Sequence, residues 1–195
     1  SVVNLTLNST DGNMSITQNT QINLTGTLVT GDSQIELYRE GTLINNGTTL
    51  ISNLSTFNVA GTFNITILYM ASENYTSSFE THYVIVNDTI KPNMTNLKEH
   101  PSDPATYALN QFYEFNVTVV DNVAVDKVWI NFNGTNYTGT NIYNKSATIF
   151  QFNRTNLASN TYNYKWYAND TSNNVNESAQ QTYTINKASS VVNLT

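Results

Sequence analysis

The chain contains two histidines, His82 and His100, and no cysteine, so few residues could move a proton near neutral pH. Each histidine has a glutamate nearby, Glu80 two positions before His82 and Glu99 next to His100, the pairing that general acid/base chemistry would use. Such a pair also needs a nucleophile, an orienting third group or a glycine-rich cradle, and the sequence supplies none beside either. Both pairs are therefore read as surface positions. The lack of thiols excludes disulfides, zinc-thiolate sites, iron–sulfur clusters and cysteine nucleophiles. The chain is read as a non-enzyme, with no catalytic residue, no cofactor-binding residue and no resident cofactor. Asp121, Asp126 and Asp170 fall in loop-like segments of the second half, where a set of oxygen ligands would suit calcium. Aspartate also recurs in turns because its carboxylate accepts bonds from nearby backbone, and that reading is preferred, leaving no metal assigned.

Sugar attachment is the chemistry written most densely. The acceptor pattern Asn-x-Ser/Thr, without proline at x, occurs 18 times, at Asn4, Asn8, Asn13, Asn23, Asn46, Asn53, Asn64, Asn74, Asn87, Asn93, Asn116, Asn133, Asn136, Asn144, Asn153, Asn169, Asn176 and Asn193. With 32 Asn, 29 Thr and 16 Ser in 195 residues, random placement would give about 7. Strand alternation raises the count by bringing residues two apart to one face, but that effect has no direction. The reversed pattern is about half as frequent. The excess points to covalent N-linked glycans, which would solvate a surface poor in charge and blunt exposed strand edges.

Charged residues make up 11% of the chain, against about a quarter in ordinary domains. A net charge of -6 without any basic run argues against nucleic acid and anionic membrane as partners. No stretch reaches the 18 consecutive apolar residues of a membrane span, so direct membrane insertion is not expected. The start at Ser-Val-Val, without Met or a signal peptide, is read as that of a processed or excised piece.

The elements that must carry these residues are strands. Leu5 and Leu7 alternate with Asn4 and Thr6, Ile22 and Leu24 with Asn23 and Thr25, and Ile65 and Ile67 with Asn64 and Thr66. Similar runs occupy Phe115 to Val119, Val128 to Phe132, Tyr162 to Tyr167 and Thr182 to Ile185, with turn signals at Asn46-Gly47 and Asn133-Gly134. No window keeps a 3.6-residue period. The expectation is an all-β chain of two antiparallel β-sandwiches of about seven strands each. A polar run ending at Pro92 marks the boundary. The halves share Gly61-Thr62-Phe63-Asn64 against Asn160-Thr161-Tyr162-Asn163, and Gly41-Thr42 after Ile35/Leu37 against Gly134-Thr135 after Val128/Ile130. That similarity suggests two immunoglobulin-like domains in tandem, type A over 1–88 and type B over 89–188.

The hexapeptide Ser1-Val2-Val3-Asn4-Leu5-Thr6 recurs unchanged as Ser190-Val191-Val192-Asn193-Leu194-Thr195. The reading is one unit of a longer array, with 189–195 as the first strand of the next repeat and Val192 and Leu194 pointing inward. A covalent tandem and strand exchange between separate chains both remain open at this point, with the identical strand at both ends favouring the tandem.

Asp121-Asn122-Val123-Ala124-Val125-Asp126-Lys127-Val128, Phe132-Asn133-Gly134 and Tyr164-Lys165-Trp166-Tyr167-Ala168-Asn169-Asp170-Thr171-Ser172-Asn173-Asn174-Val175 together resemble the immunoglobulin-like repeats of archaeal and bacterial surface proteins. The resemblance covers mainly residues 89 to 188. It departs at Ala124 and Asn173, where such repeats commonly carry glycine, so those two turns are expected to be built differently. Tyr38-Arg39-Glu40-Gly41-Thr42 is similar to a second repeat type in the same kinds of protein. The resemblance implies an extracellular, modular, non-catalytic protein at a cell surface. The lack of disulfides fits a prokaryotic surface protein better than an animal secreted one, and sequon density, the Asn/Thr bias and the resemblance together favour an archaeal source.

Trp129 lies out of phase with Val128 and Ile130 and is expected to face outward, as are Tyr38, Tyr137 and Tyr143. Trp166 and Tyr162 share a face and are expected in the core, Tyr162 in the position of a tyrosine corner. The functional expectation is a stiff glycosylated stalk, filament or sheath strand whose partners are neighbouring repeats or identical subunits in a fibre. The alternative is an adhesin or carbohydrate-binding module engaging surface glycans or other cells through an aromatic strip.

Overall fold

A computed structural model describes residues 1–190, so the predicted inward pair Val192 and Leu194 and the sequon at Asn193 lie outside the described residues. The packing divides the chain into two units, Ser1–Thr89 and Ile90–Thr195. In unit 1 the strands are β1 (Val2–Leu7), β2 (Met14–Thr17), β3 (Thr20–Thr30), β4 (Ile35–Arg39), β5 (Thr42–Gly47), β6 (Leu50–Phe57), β7 (Gly61–Tyr69) and β8 (Ser78–Asn87). They form one sheet in the order β1-β3-β6 and a second in the order β2-β8-β7-β4-β5. In unit 2 the strands are β9 (Asn93–His100), β10 (Ala105–Thr106), β11 (Phe112–Val120), β12 (Val125–Phe132), β13 (Thr135–Tyr137), β14 (Ile142–Asn144), β15 (Ile149–Thr155), β16 (Thr161–Asp170), β17 (Val175–Glu177) and β18 (Gln181–Asn186). One sheet runs β14-β15-β11-β9 and the other β10-β18-β16-β12-β13, with β17 paired to β16. Both units thus have the strand order of an immunoglobulin-type sandwich, and unit 2 adds β14 on the first sheet. No α-helix occurs among the described residues.

Two expectations are corrected here. The strand counts, eight and ten, exceed seven because the opening strand of each unit breaks as it crosses from one sheet to the other, and because unit 2 also has the short strands β14 and β17. The sandwiches are also not wholly antiparallel, since β2 runs parallel to β8 and β10 parallel to β18. The opening strand keeps its direction while crossing, and lands beside the last strand of its unit. In unit 1 the crossing follows Asn8 and Ser9, which take φ of 48° and 66°. In unit 2 it passes Pro101 and Pro104, which have no N–H to give to a ladder.

The shared motifs mark equivalent hairpins. Arg39 pairs with Thr42 around Glu40 and Gly41 (φ 50° and 73°), and Phe132 pairs with Thr135 around Asn133 and Gly134 (φ 49° and 84°). Positive φ at both central residues makes each a two-residue turn matched to strand twist. The predicted turn at Asn46-Gly47 is instead the end of β5, still paired with Glu36 and Ile35 of β4. Gly47 serves close packing there, since a Cβ would stand 2.6 Å from Ile51 Cγ2.

Each unit has its own core. In unit 1, Leu5 and Leu7 of β1 pack with Leu24, Leu37, Ile65 and Ile67. Unit 2 is aromatic: Phe115 meets Phe132, Tyr164 and Tyr183 edge to face at 5.0, 5.1 and 5.2 Å, each such pair contributing about 0.5–1.5 kcal/mol beyond area burial. Trp166 is fully buried, and Tyr162 donates its hydroxyl to the Ala158 carbonyl at 3.0 Å, the tyrosine-corner bond at the start of β16. Unit 1 has Phe63 near the start of β7 and so no hydroxyl for this bond.

Candidate functional site

The 17 described acceptor asparagines are all at least partly exposed, and ten are fully so, because strand alternation gives the inner face to apolar residues. The same parity brings a sequon's asparagine onto its own hydroxyl residue: Asn23 Nδ2 donates to Thr25 Oγ1 at 3.2 Å, and Ser55 Oγ donates to Asn53 Oδ1 at 2.7 Å. Three half-buried acceptors have their amide nitrogens held by backbone or carboxylate oxygens. Asn53 Nδ2 donates to the Ile44 carbonyl at 3.3 Å, Asn176 Nδ2 to the Pro92 carbonyl at 2.8 Å, and Asn169 Nδ2 to Asp126 Oδ2 at 3.1 Å.

Of the three calcium candidates, Asp121 and Asp170 come together, with carboxylate oxygens within 4.8 Å. Both are occupied in shaping loops. Asp121 Oδ1 accepts the Val123 and Ala124 amides at 2.9 and 3.0 Å. Asp170, fully buried, accepts the Ser172 and Asn174 amides at 2.8 Å through Oδ1 and Asn174 Nδ2 at 2.8 Å through Oδ2. Asp126 turns away to Asn169 and to Lys127 Nζ at 3.5 Å. At the two turns singled out in sequence, Asn173 takes φ of 66°, the left-handed conformation glycine would adopt, while Ala124 keeps a negative φ.

The histidine–glutamate neighbours are not simple surface positions. Glu99 accepts the hydroxyl of the core residue Tyr164, and burial together with that carboxylate holds the Tyr164 phenol well above its usual range. Tyr183 nearby is pushed up to about 12 by burial and donates to the Pro101 carbonyl at 2.8 Å. His100 alone of the four is exposed. Glu80 and His82 pair across the ladder with Ile67 and Ile65 and so point to the core side of their sheet, in register with buried Val84 and Val86. The His82 side chain is only 13% exposed. Its Nε2 lies 3.0 Å from Asp11 Oδ1, in the loop between β1 and β2, and 3.5 Å from Glu80 Oε1. Parity with Val84 and Val86 was the signal for this inward pair, but nothing in sequence connects it to Asp11.

A second cluster was missed altogether. Tyr69, buried at the end of β7, donates to Asp32 Oδ1 at 2.7 Å, and Asn74 Nδ2 donates to Asp32 Oδ2 at 2.8 Å. Hydrogen bonds from Ser72, Tyr69 and Asn74 hold the Asp32 carboxyl down at about 2.

Among the aromatics, Trp129 faces outward and stacks on Tyr167, its cross-strand partner, with centroids 5.4 Å apart and planes within 6°. Lys165 Nζ lies 5.7 Å from the Tyr167 centroid. Tyr143 is exposed, and Tyr38 donates to Glu36 Oε2 along the outer face of β4 at 2.5 Å. Tyr137 contradicts its expected outward position: it packs on the core against Phe152 at 4.8 Å, with the Arg154 guanidinium 4.1 Å over its ring. At the edge of its sheet the ring folds over the open end of the core, where a cation can cover it.

No family model and no curated protein matches the chain. Solved structures do. The chain is similar to a two-domain Rst fragment with a TM-score of 0.53 at 8% identity, covering 95% of this chain and 100% of that one. It is also similar to a three-domain immunoglobulin fragment of titin (TM-score 0.49, 8% identity, 96% and 67% covered). A third likeness is to fibronectin(III)-like modules of Clostridium thermocellum CbhA (TM-score 0.38, 16% identity, 94% of each covered). The fold is two immunoglobulin-like β-sandwiches in tandem.

Proposed function

We propose that the chain is a structural, non-catalytic repeat unit of a long extracellular, glycosylated filament, stalk or sheath strand at a cell surface, of archaeal origin. The observation that carries this reading is the coincidence of the repeated hexapeptide with β1. That strand supplies Leu5 and Leu7, both fully buried, and pairs with β3 from Val2 to Leu7. A unit lacking it would leave β3 with an open edge and a gap in its core. A second copy of the same hexapeptide following a two-sandwich unit is what a covalent array requires at each junction. The outward asparagines support the glycosylated character, and neighbouring repeats of the same chain are the natural partners.

The test is the denatured mass of the native protein before and after chemical deglycosylation. A covalent array gives one species far above the 21.7 kDa of this chain, shrinking on deglycosylation. A species close to that mass would overturn the covalent array, and an unchanged mass would overturn the glycans.

The alternative, an adhesin or carbohydrate-binding module, draws on the Trp129–Tyr167 stack, since aromatic faces on an outer sheet suit sugar rings. Binding of oligosaccharides that quenches Trp129 fluorescence, lost in Trp129→Ala, would favour it over the structural reading.

A further inference from the structure

We propose that Asp11, Glu80 and His82 form a binding site for a divalent transition-metal ion of the zinc class. One imidazole nitrogen and two carboxylate oxygens, all within 4.8 Å of one another, converge from two elements: the loop between β1 and β2 and the core-facing side of β8. The distances from His82 Nε2 are 3.0 Å to Asp11 Oδ1 and 3.5 Å to Glu80 Oε1. With metal–ligand bonds of about 2.0–2.2 Å, neighbouring ligands stand about 2.9 Å apart in an octahedron and about 3.4 Å apart in a tetrahedron. The two separations from His82 Nε2 match those of neighbouring ligands on one ion.

The arrangement of the remaining oxygens supports the same reading. Each carboxylate splits its two atoms between His82 and a donor from β1. Glu80 Oε2 accepts the Leu5 amide at 2.6 Å, and Asp11 Oδ2 accepts Asn4 Nδ2 at 3.3 Å. Hydrogen bonds of this outer kind orient ligating carboxylates in metal sites. A single imidazole N–H can satisfy one acceptor well, whereas two acceptors are directed at the same nitrogen here. The nitrogen donor favours zinc-like ions over calcium, which takes oxygen ligands. An ion at this point would tie the loop between β1 and β2 to β8 within the unit 1 sandwich, with water completing its coordination.

The experiment is calorimetric titration of the full 195-residue chain, produced without glycans, with zinc chloride, and with calcium chloride as comparison. One zinc per chain is expected, with affinity reduced at least tenfold in both Asp11→Asn and His82→Gln and unchanged in His100→Gln. Bound zinc should also shift the His82 Nε2 resonance in 15N spectra and raise the melting temperature of unit 1 by about 5–15 °C at saturating metal. Asp11 is 63% exposed, so its variant tests the site without threatening the core. No binding at millimolar zinc would overturn the proposal, as would binding that both variants leave intact or preference for calcium.

Discussion

Gly26 lies on the inner face of β3 between Leu5 of β1 and Ile51 of β6, at a position whose parity calls for an apolar side chain. Ile67 of the opposite sheet fills that space instead. A Cβ built at Gly26 would stand 2.3 Å from Ile67 Cδ1, 2.9 Å from Ile67 Cγ1 and 3.4 Å from Ile51 Cγ1. In Gly26→Ala the Cδ1 methyl must retreat by about 1.2 Å to reach ordinary carbon contact, and it must do so within a close-packed core where Ile67 is fully buried. Overpacking of this kind costs about 1–3 kcal/mol, offset by about 0.4–1 kcal/mol from the stiffer unfolded chain. The net expectation is a loss of about 1–2 kcal/mol, or about 5–15 °C in melting temperature for a unit of this size. Ile67→Val removes the clashing methyl and alone costs about 0.5–1.5 kcal/mol. Together the two changes should cost less than their sum by about 1 kcal/mol, the coupling expected of residues in contact. In urea denaturation far-UV circular dichroism follows both units, while fluorescence isolates unit 2 because Trp129 and Trp166 both lie there, so the unit 1 transition is the part of the dichroism change that fluorescence does not follow. A Gly26→Ala protein as stable as the parent, or strictly additive substitutions, would refute the argument that Ile67 occupies the missing side chain's place.

Tyr162→Phe removes the corner bond to Ala158 and should lower the unit 2 fluorescence midpoint by the equivalent of about 0.5–1.5 kcal/mol with an unchanged urea dependence; an unmoved midpoint would show the hydroxyl to be idle. Asp32 titrates at about 2 in the folded chain against an ordinary 3.8, so its contribution to unit 1 is fully present above about pH 4 and disappears as the pH falls toward 2. Asp32→Asn should therefore be less stable than the parent at pH 7 and converge with it near pH 2, and a gap independent of pH would contradict the network around Tyr69. Glycopeptide mapping of native material should find sugar on the exposed Asn8, Asn46 and Asn133 and bare side chains at Asn53 and Asn176, whose amide nitrogens bond the backbone; the opposite distribution would mean that attachment precedes folding and ignores this geometry.

The strands and their faces were legible because a period of two needs no knowledge of what lies opposite: Leu5, Leu24, Ile65 and Ile67 are all buried where alternation put them. The paired hairpins at Gly41 and Gly134, and the corner at Tyr162, were legible for a similar reason, since a two-residue turn and a bond reaching four residues back are local chemistry. Alternation says which side of a sheet a residue faces but not which sheet its strand joins. The crossing of β1 into β2 and of β9 into β10, and the parallel pairing that results, were decided by tertiary packing. The same limit explains the sites. Glu99 was read as surface and is held by Tyr164, 65 residues away; Tyr137 was read as outward and closes the core beneath Arg154. Asp11 meets His82 across 71 residues because the opening strand changes sheets beside β8. Local residue chemistry determined strands, turns and the outward asparagines, whereas contacts between distant residues were set by the fold that brings their strands together.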